Sequence, residues 1–405
     1  MPDALHRRHD PEEPHRSTAD ARPGGRTRPR PVFVPAPVSL IVTAMIALGA
    51  CRSQEADGPR MAAAGDPDAR YMCPPCHVHE DTFFEEDGTC PICGMALIER
   101  PDSSRVGEVH IHPGSGNLLV EGGPGHREKL IQVFYHRPEA FTPRSPILVV
   151  VPGAGRDADE YRDAWIEASE RHGVLVLSPL YRESDYDFGA YHMGGLMHGM
   201  NLSESTLYEE ASNRVHLDEE RFEYRVASNP EEWIFRDFDR LFLRVGRALG
   251  SERERYDLFG HSAGGQILHR LVLFHPGSRA DRILAGNSGF YTLPDPTTDL
   301  PFGVRDTPVT SKDLGRSLSL RLVLFLGEED DATETGGTLL RSPTVDRQGL
   351  HRLARGRYFY ETGRALAERL GVELGWSLEI VPGVGHDFRG MSRAAADYLY
   401  GEGAP

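Results

Sequence analysis

Lysine is almost missing from this 405-residue chain. Only Lys129 and Lys312 occur, so the basic residues are nearly all arginine, and they are outnumbered by carboxylates to a formal net charge of −16. An acidic surface repels phosphates, which argues against nucleic acid as the partner. Long hydrophobic runs are also absent. The run Val38–Ala50 is shorter than the ~20 residues a membrane-spanning helix needs, although it suits the core of an export signal. Cysteine is scarce too: five residues, Cys51, Cys73, Cys76, Cys90 and Cys93, all early in the chain. Hydrophobic residues make up 39% of the sequence, enough for one large α/β domain with small appendages.

The richest segment is Tyr256-Asp-Leu-Phe-Gly-His-Ser-Ala-Gly-Gly-Gln266, an apolar strand that runs into Gly260-x-Ser262-x-Gly264 and then a helical pattern. Strand, sharp turn and helix form the setting of a nucleophile elbow: glycines at 260 and 264 remove side chains that would collide, and Ser262 is left with its Oγ exposed. The N–H of Ala263 then points to where an oxyanion would form. An ordinary glycine-rich turn is the alternative.

A serine nucleophile needs an acid and then a histidine further along. Arg321–Leu326 reads as a buried parallel strand ended by Gly327, and Glu328, Glu329, Asp330 and Asp331 follow at its C-terminal end. Asp330 is preferred as the acid, with Asp331 the alternative. After a last strand at Ser377–Val381, the glycine-rich loop Pro382–Phe388 presents His386, the general-base candidate. His269 and His351 compete on composition alone but lack this order and setting. The second oxyanion donor is expected at Ala154, in the loop after the strand Pro146–Val151.

Together these motifs resemble the α/β-hydrolases of the serine esterase, lipase and polyester-depolymerase type, over roughly residues 115–400. Gly153–Arg156 with Tyr161–Trp165, Gly260–Gln266 with His269-Arg270, and Asn287–Tyr291 with Pro294 are also similar to a group of bacterial hydrolases. Relatives often carry His-Gly where this chain has Pro152-Gly153, a departure that bears on Ala154. The resemblance implies a mostly parallel, doubly wound sheet, no cofactor for hydrolysis, and a small-molecule or polymeric ester as substrate. Residues 108–402 are expected to form this domain. Its strands should include Lys129–His136 and Gly173–Ser178, and its helices Ala158–Arg171, Glu231–Leu249, Ala263–Phe274 and Leu353–Leu370. The stretch 181–229 breaks the rhythm and is expected to be a cap insertion. Its Tyr186, Tyr191, Tyr208, Met193, Met197 and Met200 are candidates to line the substrate site, as are Asn287 and Tyr291 for substrate binding.

Residues 1–37 have the composition of a disordered extension. Residues 38–51 end in Leu48-Gly-Ala-Cys51, which resembles a bacterial lipobox; lipidation at Cys51 and export to a membrane-anchored location are the expectation. A linker, 52–69, leads to a module at 70–100 with Cys73-Pro-Pro-Cys76 and Cys90-Pro-Ile-Cys93. Paired Cys-x-x-Cys knuckles can wrap one tetrahedral ion, here zinc or another soft heavy metal, with disulfide pairing the alternative. The module resembles the heavy-metal-binding domain, although Cys73-Pro-Pro-Cys76 replaces that family's frequent Cys-Pro-Met-His; His77 and His79 are spare ligands at most. The competing reading of the whole chain is a non-catalytic, metal-binding surface lipoprotein on a hydrolase-like scaffold.

Overall fold

The structure, a computed structural model, describes residues 59–403 except 64, 65, 67, 75–81, 102, 103 and 105. The extension, the signal-like run with Cys51, and Cys76, His77 and His79 therefore lie outside the described residues.

An eight-stranded sheet organises the large domain. Its strands are β1 (Gly114–Glu121), β2 (Leu130–Arg137), β3 (Ile147–Val151), β4 (Leu175–Leu180), β5 (Tyr256–His261), β6 (Ala280–Gly286), β7 (Arg321–Gly327) and β8 (Ser377–Val381). The spatial order is β8-β7-β6-β5-β3-β4-β2-β1. Only β2 runs against its neighbours; the other pairings are parallel. Every residue of β3 and β5 is buried, as central strands covered on both faces require.

Alternate residues feed two cores. Ile147, Val149 and Val151 with Leu322, Leu324 and Leu326 join one cluster, and Leu148 and Val150 with Val323 and Phe325 join the other. Helices α3 (Phe235–Leu249), α4 (Ala263–Phe274) and α5 (Arg352–Leu370) cover the first face. The second is covered by α1 (Ala158–Asp163), α2 (Ile166–His172) and α6 (Phe388–Tyr400). Helix α3 shows why: Phe235, Phe238, Leu241, Phe242 and Val245 recur at helical spacing and all are buried. Gly250 then ends it in the left-handed conformation.

Two expected helices are shorter than the periodicity indicates. Ala158–Arg171 is divided at Ala164-Trp165, where the chain tips the Trp165 indole into the core against Phe259. Glu231–Leu249 begins with a separate 3-10 turn, Pro230–Glu232, because Trp233 is extended and buried with its Nε1 donating to the Ala227 carbonyl. Strand β1 has no apolar alternation in its first half. Its Gly116 is required by the Tyr135 ring, whose hydroxyl oxygen would lie 2.4 Å from a Cβ.

The cap is built from two distant stretches. Between β4 and α3 the chain makes short elements, among them strands Thr206–Tyr208 and Arg214–Leu217. Leu339–Arg341, from the excursion after β7, pairs in parallel with Arg214–Leu217. The cysteine module is a separate four-stranded antiparallel sheet of two-residue strands, Met61–Ala62, Tyr71–Met72, Phe83–Phe84 and Ile98–Glu99. It meets the large domain where Ile98 packs on Phe134, Ala158 and Leu180, and where Asn117 Nδ2 donates to the Glu99 carbonyl at 3.0 Å.

Candidate active site and metal centre

Ser262 follows β5 directly with φ 57° and ψ −114°, a backbone conformation that L-residues adopt only under constraint. The surroundings supply that constraint. A Cβ on Gly264 would lie 2.0 Å from the Val151 carbonyl oxygen, and one on Gly260 would lie 2.5 Å from Gly264. The Ser262 N–H donates to the Gly286 carbonyl, so the turn is also tied to the next strand.

Three side chains far apart in sequence converge here. Ser262 Oγ is 3.1 Å from His386 Nε2, and His386 Nδ1 is 2.8 Å from Asp330 Oδ2. Asp330 is 1% exposed, and its other oxygen accepts from Arg352 Nη1 at 3.1 Å. Asp331 points elsewhere and accepts from the Thr333 N–H and hydroxyl. His269 is buried between the Gly265 carbonyl and the Thr292 N–H, and His351 caps α5; neither meets Ser262.

Ala154 and Ala263 both line the cavity that opens above Ser262. The loop carrying Ala154 is braced from below: Tyr191 Oη donates to the Pro152 carbonyl at 2.8 Å, and the Tyr161 hydroxyl sits where a Cβ on Gly153 would go. Tyr161 Oη is in turn 3.2 Å from His261 Nδ1. Burial, with the charges of His386 and Arg352 nearby, holds the His261 imidazole well below the ordinary range, so it stays neutral beside the triad.

The cavity measures about 600 Å³. Met193, Met197 and Met200 line it with Phe188, Phe222 and Phe290, and Tyr208 stands at its exposed rim. Tyr186 and Tyr191 do not reach it; they pack with Tyr181 in an aromatic cluster. Two substrate-binding expectations need correction. Asn287 is buried beneath the site, where its amide donates to the Gly385 carbonyl and accepts from the Gly327 N–H, joining the acid loop to the histidine loop. Tyr291 is fully buried and stacked on Phe359, with its backbone paired to Gln348. Both residues brace the site, because the chain turns back under the sheet edge after β6.

Sequence reading assigned no role to Arg352, Glu334, Tyr161 or Gln266, the last two of which also border the cavity. Of the local signals, only Gln266, one helical turn after Ser262, was available. The others depend on loops meeting across the fold.

In the module, Cys73, Cys90 and Cys93 bring their sulfurs within 4.8 Å of one another, two of the residues buried. Burial pushes the Cys90 thiol up, but hydrogen bonds from Cys93 and Ile92 outweigh it and hold the group below the ordinary range. Convergent sulfurs on short turns are a soft-metal donor set.

Residues 70–100 match the family model of the heavy metal binding domain. A sequence comparison with curated proteins finds no match. Among solved structures, the chain is similar to a poly(aspartic acid) hydrolase-1 from Sphingomonas sp. KT-1, at 34% identity over 72% of this chain and 100% of that one, with a TM-score of 0.60. It is also similar to LpqC, a poly(3-hydroxybutyrate) depolymerase from Bordetella parapertussis, at 29% identity over 73% of this chain and 92% of that one, with a TM-score of 0.61. Sheet order, elbow and 34% identity across the whole of the Sphingomonas enzyme agree, and the chain belongs to the α/β-hydrolase family, with a heavy-metal-binding module ahead of the hydrolase domain.

Proposed function

We propose that this hydrolase cleaves carboxylic esters through an acyl-enzyme on Ser262. The observation that carries the reading is the continuous chain Ser262–His386–Asp330, with Arg352 behind it. In this scheme His386 Nε2 takes the Ser262 proton as Oγ attacks the ester carbonyl, while Nδ1–H donates to Asp330 and keeps the tautomer fixed. The N–H groups of Ala154 and Ala263 receive the oxyanion. The imidazolium then protonates the departing alcohol, and water repeats the sequence in reverse to free the acid.

The lining supports a neutral, apolar acyl or aryl group. No lysine or arginine borders the cavity among the described residues, and Asp157 is its one carboxylate. A polyanion such as the substrate named for the Sphingomonas enzyme would meet methionine and phenylalanine without a counter-ion, so a polyester or aryl ester is favoured. Replacing Ser262 by Ala is expected to lower turnover of short-chain p-nitrophenyl esters by at least about a thousandfold with the circular dichroism unchanged. A variant as active as the parent overturns the reading.

Two further proposals concern the N-terminal part. Cys73, Cys90 and Cys93 would hold zinc or another soft metal, with Cys76 as the fourth thiolate. The ion would order the module rather than enter hydrolysis. The apolar run and the lipobox-like Leu48–Cys51 support export and lipidation at Cys51, which mass spectrometry of the membrane-extracted protein tests.

A further inference from the structure

Beside His386 stands a carboxylate that the triad does not use. Glu334 Oε2 accepts the His386 backbone N–H at 2.6 Å, and Oε1 accepts from the Gly336 N–H at 2.6 Å. Burial pushes the Glu334 carboxyl up, but donation from the N–H groups of His386, Gly336 and Thr335 outweighs it and leaves the group below its ordinary range. It is therefore ionised at neutral pH. The next residues press on the imidazole itself: at Gly337, whose φ is +59°, a Cβ would lie 2.6 Å from both His386 Cδ2 and Nε2. One residue further, the Thr338 carbonyl accepts from Arg352 Nη2, the guanidinium that also holds Asp330.

The same segment belongs to the cap. Asn213 Nδ2 reaches the carbonyls of Glu334 and Gly336, and the Leu339 N–H donates to the Asn213 carbonyl. From there Leu339–Arg341 pairs with Arg214–Leu217, and Thr344 donates twice to Glu219. Thus one short stretch touches the base, the acid through Arg352, and the wall of the substrate cavity.

We propose that Glu334 is a positioning residue for His386, and that the 334–341 segment transmits the placement of the cap to the histidine and aspartate of the triad. The proposal rests on the reading of His386 as general base. The groups that face the imidazole are Asp330 at Nδ1, Ser262 at Nε2, the neutral His261 ring at 4.6 Å, and Glu334 at its backbone. Arg352 acts on it through Asp330.

Three variants and two readouts test the proposal. Glu334→Gln keeps the shape and one of the two acceptors but removes the charge, so it is expected to move the NMR signals of the His386 ring and the pH profile of kcat. Glu334→Ala removes both and is expected to cut kcat about tenfold with KM nearly unchanged. Asn213→Ala, which touches only the cap side, should give a smaller fall in kcat in the same direction. The readouts are kcat and KM for p-nitrophenyl butyrate across pH, and the NMR signals of the His386 ring in protein carrying labelled histidine. Unmoved ring signals in Glu334→Gln, or parental kcat in Glu334→Ala, overturn the proposal even where stability falls. Because the ring signals do not depend on turnover, a parent that fails to label with a fluorophosphonate, together with ring signals that move in Glu334→Gln, rejects the esterase reading and keeps Glu334 as a positioning residue.

Discussion

The hydrolase sheet and the cysteine module solve the problem of holding a reactive geometry in opposite ways. Around Ser262, strands buried on both faces fix a strained turn, and the two clusters that flank the sheet include most of the chain's large apolar side chains. Among the described residues, the module's hydrophobic cluster has three buried members, Cys73, Phe84 and Cys90, packed with Tyr71, Cys93 and Leu97. So small a core cannot offset the entropy of ordering its chain, and a cross-link must contribute the remainder. Strain is affordable in the first region; in the second, three of the six residues of the described cluster are cysteines.

That contrast can be broken most severely at the elbow. Gly264→Ala would drive a Cβ to 2.0 Å from the Val151 carbonyl oxygen, which backbone cannot yield. The expected outcome is a loss of ~3 kcal/mol or more in stability, together with activity, measured by urea unfolding. Removing metal sharpens the contrast from the other side. A strong chelator should abolish the ordered signature of residues 70–100, read by hydrogen exchange, and leave ester hydrolysis at the parental rate. A parallel collapse of activity would mean that the module supports the catalytic edge.

Smaller effects come from within the hydrolase domain. Asp159, in the first turn of α1, is pushed up to about 6 by burial and by the charges of Asp163 and Glu160, against the pull of backbone N–H groups. Its folded pKa exceeds its unfolded value, so the folded state binds the proton more tightly. Stability contributed by this group is therefore present at low pH and lost as pH rises from about 4 through 6. Asp159→Asn should stabilise the protein by at most about 3 kcal/mol at pH 7.5 and hardly at all at pH 4. Thermal melts at the two pH values check it. The smallest expected change is at the exposed rim: Leu207 and Tyr208 are each more than two-thirds exposed. Replacing Tyr208 by Ser should raise KM for long-chain esters a few-fold and leave acetate unaffected, as loss of one partly buried apolar contact implies.

The legible parts were those whose physics is local. The elbow could be read because a tight turn between strand and helix restricts two positions to glycine, and β3 and β7 because buried parallel strands are short, nearly continuous apolar runs. Asn287 and Tyr291 were misread for the opposite reason: whether a residue after β6 faces the cavity or the underside depends on how the chain leaves the sheet. The division of Ala158–Arg171 was hidden as well, since periodicity continues through Trp165 and only the core decides that its indole turns inward.

What the sequence determined by itself was the class of fold, the serine in its elbow and the loop that presents His386, because each is set by neighbours within a few residues. Which carboxylate serves His386, and what holds it there, belonged to the tertiary structure. Asp330, Arg352, Glu334 and the Arg214–Leu217 strand meet through loops that the sheet order brings together, and no spacing along the chain encodes that meeting.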